Sequence, residues 1–199
     1  MFSTIKTRHA LALAAGAALL GGCATYGMED DGMASMSGQD TVMVGGAAMY
    51  PTRNIIENAI NSGDHTTLVA AVKAAGLVDT LSGPGPFTVF APTNAAFNKL
   101  PAGTVNSLMM PQNKAMLTSV LTYHVVPGRV SASQLMQMIR DGGGMAKLKT
   151  VNGATLTARM QGDHIVLVDA KGGIAKVTQA DVFQSNGVIH VTDAVSLPG

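Results

Sequence analysis

The chain has 199 residues, with 13 Lys and Arg against 12 Asp and Glu, no Trp and a single Cys. A formal net charge of +1 with no run of basic residues gives nucleic acid no electrostatic footprint, and one Cys excludes an internal disulfide. The fold must rest on apolar burial, and a single domain of about 150 residues removes roughly 68–70% of its unfolded surface from water.

Lys6, Arg8 and His9 form a basic start, and Ala10 to Leu20 is an apolar run too short to span a bilayer. Leu20-Gly21-Gly22-Cys23 follows and resembles a bacterial lipobox. Residues 1–22 are therefore read as a lipoprotein signal peptide and Cys23 as its lipidated product terminus. The competing reading is an ordinary secretory signal with a chance cysteine. Acyl chains on Cys23 would hold the protein at a membrane, at about 0.8 kcal/mol per buried CH₂. Ala24 stands where the inner-membrane retention signal places Asp, which favours the outer membrane. Whether the domain then faces the periplasm or the outside stays open.

Residues 23–51 are rich in Gly, Ser, Met and acidic side chains and show no helical or strand period. They read as a flexible tether with a mean span of about 30 Å. Met28, Met33 and Met36, with Met43 and Met49 further on, carry thioethers of the softness that suits Cu(I). Their spacing fits no compact metal motif, and a tether that scavenges oxidants explains them equally. No cofactor is expected.

Residues 52–199 carry the domain. Ile55, Ile56 and Ile60 fit a short helix with one apolar side, and Asp64 is placed to cap the next, over Leu68, Val69 and Val72 up to Gly76. Ser82 to Pro86 is a turn. Phe87 to Ala91 alternates as a strand, with Phe87, Val89 and Ala91 on one face and Thr88 and Phe90 on the other. Pro92 stops it, and Thr93 or Asn94 can cap a helix anchored by Phe97. Pro101 opens a short helix, Gln112 to Tyr123 a longer one, and Ser131 to Ile139 another. Strand-like runs follow at Leu148–Val151, Thr155–Met160, Ile165–Val168, Ile174–Val177 and Val188–Val191. Helices come early and strands late, which predicts an α+β fold.

Three ordered blocks stand out. Thr88 to Thr93 reads TVFAPT, followed by Ala96 and Phe97; Tyr123-His124 sits in LTYHVVPGRV; and Gly187, Ile189, His190 and Asp193 form G-x-I-H-x-x-D. Together they resemble the signature of the fasciclin domain. That resemblance implies a β-sandwich or wedge with several helices packed along it. Asn94 stands where many members have Asp. The Tyr-His region is implicated in adhesion in some animal members, which makes Tyr123 and His124 candidates for partner contact.

Each histidine also has a structural reading. Leu117, Val120, Leu121 and His124 share one helical face, so a buried His124 could fix a helix-to-strand corner. His190 sits in an apolar strand, and Asp193 could tie that strand's end to a backbone donor. No G-x-S-x-G elbow, phosphate loop or Arg-Gly-Asp tripeptide occurs. The expectation is a non-catalytic envelope protein that meets the membrane through its lipid and binds a surface protein or matrix polymer. The alternative is a periplasmic protein for a small hydrophobic ligand or copper.

Overall fold

A seven-stranded sheet organises the molecule, in the order β4-β3-β9-β8-β7-β6-β5. The structure is a computed structural model and describes residues 41–199. The strands are β3 (Phe87–Pro92), β4 (Val125–Pro127), β5 (Met145–Lys149), β6 (Thr155–Gln161), β7 (His164–Val168), β8 (Ile174–Gln184) and β9 (Gly187–Thr192). All neighbours are antiparallel except β3 and β9, which run parallel with Phe87 opposite Gly187 and Phe90 opposite His190. The Val151 amide, just past β5, donates to the Val125 carbonyl of β4 at 2.8 Å. The sheet thus curls until its two edges nearly meet.

Among the described residues seven short α-helices accompany it: α1 (Ile55–Ala59), α2 (Thr66–Ala75), α3 (Val78–Ser82), α4 (Asn94–Asn98), α5 (Thr104–Leu108), α6 (Lys114–Tyr123) and α7 (Ala132–Asp141). Their starts are set by side chains. Asn54 and Glu57 form a capping box on α1, Ser131 and Gln134 another on α7, and Thr93 accepts the Ala96 amide to cap α4.

The alternation in β3 divides the interior. Val89 and Ala91 face a core shared with α1, α2 and α6, while Phe90 faces a second core of Leu135, Ile139, Leu148, Leu156 and Leu167. β8 belongs to both halves. It pairs with β7 up to Lys176 and with β9 from Val177, and register shifts between Val177 and Val182 bend it. Gly187 is obligatory at the start of β9, because a Cβ there would collide with the Phe87 carbonyl oxygen. The α+β class and the helices packed along a curled sheet agree with the expectation.

Three expectations need correction. The domain begins before residue 52. Val42–Val44 and Ala47–Met49 pair as a hairpin, β1 and β2, and bury Val44 and Met49 in the first core. The expected tether therefore ends earlier, and Met49 is a core residue at 2% exposure. Asp64 does not cap α2; it lies in a 3₁₀ turn, Gly63–His65, that leads into the helix. β8 continues seven residues beyond the expected Val177, to Gln184. Cys23 and the candidate copper ligands Met28, Met33 and Met36 lie outside the described residues.

Candidate functional site

His124 terminates α6 and is 3% exposed. Its Nδ1 lies 2.8 Å from the Val120 carbonyl, and its Nε2 accepts the Ser196 amide at 3.0 Å. A carbonyl on one nitrogen and an N–H on the other fix a neutral ring with its proton on Nδ1. Burial lowers the pKa of this ring, against smaller opposing effects of the Val120 carbonyl and Asp169. Tyr123, at 0% exposure, donates its hydroxyl to the Thr155 carbonyl at 2.9 Å and accepts the Ala170 amide at 3.1 Å. Burial raises its pKa; the Ala170 amide works the other way. Asp169 completes the group. It accepts amides from Lys171 and Gly173 on one oxygen and from Leu197 on the other. Together the three side chains pin the chain's C-terminal segment to α6 and to the turns around the second core.

A second group forms where β3 meets β9. His190 is 1% exposed and stacks on Phe90, with ring centroids 5.6 Å apart. Its Nε2 donates to the Val130 carbonyl at 2.9 Å, and its Nδ1 accepts the Asp181 amide at 3.2 Å. Burial lowers its pKa too, opposed by the Val130 carbonyl and Asp181. Thr88 donates to the Gly128 carbonyl and accepts the Val130 amide, at 2.7 and 2.9 Å. The first and last signature blocks thus hold the segment Gly128–Val130 between them.

The third group lies at the other end of β3. Asn94 accepts the Thr67 amide at 2.9 Å and donates to the Gly63 carbonyl at 2.9 Å. It therefore caps α2 from another helix, a role that needs an amide's donor as well as its acceptor. Asn94→Ala should cost about 1–2 kcal/mol in urea unfolding, as other lost caps do; a loss below about 0.3 kcal/mol would deny it that role. Asp193 accepts the Lys176 amide at 2.8 Å and pairs with Lys99 at 3.1 Å. Partial burial pushes its carboxyl up, but the Lys176 amide and the Lys99 ammonium outweigh that and hold it below the usual range. Phe97 and Ile189 are core residues, and Pro92 closes β3.

The three buried histidines His65, His124 and His190 lie in separate places; Ser62 Oγ lies 2.8 Å from His65 Nδ1, but at 1% and 3% exposure neither side chain can reach a substrate. Among the described residues no three His, Cys, Asp or Glu side chains gather as a metal site, and no helix is long and apolar enough to cross a membrane. Tyr123 and His124 offer a partner no surface, so any effect of theirs on binding passes through the fold. Beside the signature residue Phe97 an open cleft of about 550 Å³ lies between α2, α4 and α5, lined also by Leu100 and Met109. Sequence reasoning missed Asp169, whose signal was the turn sequence Asp169-Ala170-Lys171-Gly172. It also missed Asn186, which accepts the Ile55 amide and donates to Leu81 and Gly83.

A family model for the fasciclin domain matches residues 63–198. The chain belongs to the fasciclin domain family. Among curated relatives, protein sll1483 of Synechocystis sp. is 45% identical over 86% of this chain and 89% of its own. Immunogenic protein MPB70 of Mycobacterium bovis is 37% identical, over 89% of this chain and 80% of its own. Cell surface glycolipoprotein MPB83 of the same species is 33% identical, over 84% and 70%. Among solved structures, a FAS1 domain pair from the insect cell adhesion molecule Fasciclin I superposes with a TM-score of 0.64 at 18% identity. That match covers 72% of this chain and half of the insect chain, as one domain of a pair should.

Membership in the fasciclin family accounts for the three blocks in structural terms. Each signature polar side chain of this fasciclin domain satisfies a backbone group at a junction between elements. The hairpin β1–β2 and helix α1 precede the matched region and extend this chain's domain on its N-terminal side.

Proposed function

We propose that the protein is an exported, lipid-anchored binding protein whose fasciclin domain attaches the cell to a surface protein or matrix polymer. One observation carries this: a relative at 33% identity, matched over 70% of its length, is named a cell surface glycolipoprotein. The lipobox-like Leu20-Gly21-Gly22-Cys23 supports the same anchor here. The buried, paired state of Tyr123, His124 and His190 supports a non-catalytic role, since a general base must reach a substrate proton. Antibody labelling and added protease on intact cells test the reading. Expected are a labelled, cleavable domain, release of that label in Cys23→Ala, and reduced attachment when the chain is deleted. A domain protected behind an intact outer membrane, or unchanged attachment after deletion, would overturn it.

A second reading is capture of a small hydrophobic ligand, which the cleft beside Phe97 and Met109 supports by its size. Lipidic or coloured material co-purifying with the full chain would favour it. Cu(I) capture by Met28, Met33 and Met36 is a separate proposal, and affinity no better than about micromolar would end it.

A further inference from the structure

The two halves of the curled sheet are treated differently on their outer side. Over β3 and β9 that side is covered by helices, with Val89, Ala91, Ile189 and Val191 buried in the first core. Over β5 to β8 the inner residues Ala146, Leu148, Leu156, Leu167 and Ala175 fill the second core; of the outer residues Met145, Lys147, Lys149, Thr155 and Ile174 are exposed, Thr157, Arg159, Val168 and Lys176 are half-buried, and Val166 beneath them is buried at 2%. Strand register decides which side chains share that outer face. Met145 pairs with Arg159, Arg159 with Val166, and Val166 with Lys176; one step along, Lys147 pairs with Thr157, Thr157 with Val168, and Val168 with Ile174; Lys149 pairs with Thr155.

The result is a face whose paired strand residues include the basic side chains Lys147, Lys149, Arg159 and Lys176 and no carboxylate; the nearest acidic group is Asp141 at its edge, in a concavity shared with Met145 and Lys147. The sole ion pair among the described residues is Lys99–Asp193, so none of the four pairs with a described carboxylate. Arg159 is half-buried, and its Nε is screened from solvent without an acceptor. This patch is absent from the linear sequence, where the four cations are spread over thirty positions between acidic and neutral segments. The expectation of no basic patch therefore fails on this face, because strand pairing gathers what the sequence disperses.

We propose that this face binds a linear polyuronate, a polysaccharide that carries carboxylates along its length. The proposal rests on the adhesion reading and names the chemistry of its matrix partner. Strand spacing of about 4.8 Å and residue rise of about 3.4 Å put neighbouring cations roughly 7–10 Å apart along a bent track from Lys149 through Lys147 and Arg159 to Lys176. That is a line of separate charges, suited to a thin chain that meets them with the carboxylate of about every second sugar. Thr155 and Thr157 beside the track offer hydroxyls to sugar hydroxyls, and Ile174, 47% exposed, offers an apolar patch to a sugar face. The one exposed ring on the face is the imidazole of His164 at its edge, too few for the successive bases of single-stranded nucleic acid to stack on. It also lacks the Trp, Phe and Leu that seat an interfacial protein in a bilayer.

The test uses the full chain on immobilised polygalacturonate, with dextran as the uncharged control and phosphatidylglycerol vesicles and single-stranded DNA as other polyanions. Expected is retention on polygalacturonate alone, at ~50 mM salt, with release as salt rises. The exposed pair Lys147→Glu/Lys149→Glu should weaken that retention at least ~10-fold, while Lys73→Glu/Lys114→Glu on the helical side leaves it unchanged. An unaltered thermal midpoint shows that the first pair still folds. Absent retention, equal loss in both pairs, or equal binding to vesicles or DNA would overturn the proposal. If cells attach through the chain and the first pair attaches as well as the parent, this site fails while the adhesion reading stands.

Discussion

Replacing His124 with Ala should destabilise the domain by about 3 kcal/mol, one of the largest single-residue effects in the chain. Among the described residues the ring is the Ser196 amide's only partner, and it also engages the Val120 carbonyl at the end of α6. Ala would strand both groups in a site that is 3% exposed, at about 1–3 kcal/mol for each buried group left unmade, and leave a cavity besides. Urea unfolding measures the loss. The same variant should release the C-terminal residues, so amide exchange at Ser196 and Leu197 should rise together. Any fall in adhesion by His124→Ala would then track the unfolded fraction. A change under about 1 kcal/mol accompanied by selective loss of binding would contradict the structural role and return His124 to the binding surface.

How much of this was readable follows from how local each feature is. β3 was readable because alternation over Phe87–Ala91 and the stop at Pro92 are set by neighbours in sequence. The cap at Thr93 was readable for the same reason, and so was the helical face that carries Leu117, Val120, Leu121 and His124. Asn94 shows the limit. Its residue type signalled a cap, but the helix it caps is α2, twenty-seven positions back at Thr67. No local rule points to that partner.

The hairpin β1–β2 was hidden by composition. VMVGGAAM has two glycines at its turn, Gly45 and Gly46, both with the positive φ that a tight hairpin demands. The flanking strands are three residues each, and Ala47 and Ala48 give them little β character. Burial of Val44 and Met49 against distant residues makes the hairpin, and sequence spacing cannot report it. The end of β8 was hidden by its bulge. Thr178 to Gln184 loses alternation where two register shifts and a positive φ at Asp181 turn the strand. That irregularity has a role in the site, since it aims the Asp181 amide at His190. The cationic face is the extreme case. Each of its strands reads as an ordinary half-exposed strand, and only the register across four of them brings the charges together.

Acid should weaken this domain well before its carboxylates titrate. His65, His124 and His190 are all buried, and burial holds all three below the ordinary histidine value of 6.5 in the folded state. Asp64, Asp169 and Asp181 oppose this in turn without reversing it. A histidine whose folded pKa is depressed binds its proton first in the unfolded chain. Its stabilisation is complete above the unfolded value of 6.5 and is lost as pH falls below it, until the folded ring protonates as well. Each ring contributes up to about 1.4 kcal/mol per pH unit in that window, so three give a slope approaching about 4 kcal/mol. Asp193 acts in the same direction at lower pH, because its depressed carboxyl favours the folded state only while ionised. Urea unfolding at about pH 8, 7 and 5.5 should show a stability that changes little over the first step and falls clearly over the second. His190→Gln should remove about one proton from the slope whatever it does to the absolute stability. A flat profile down to pH 5.5 would mean that the native rings take up their second protons as readily as the unfolded chain does. At His124 and His190 that is incompatible with the geometry, because one nitrogen of each accepts a backbone amide and has no lone pair to give a proton.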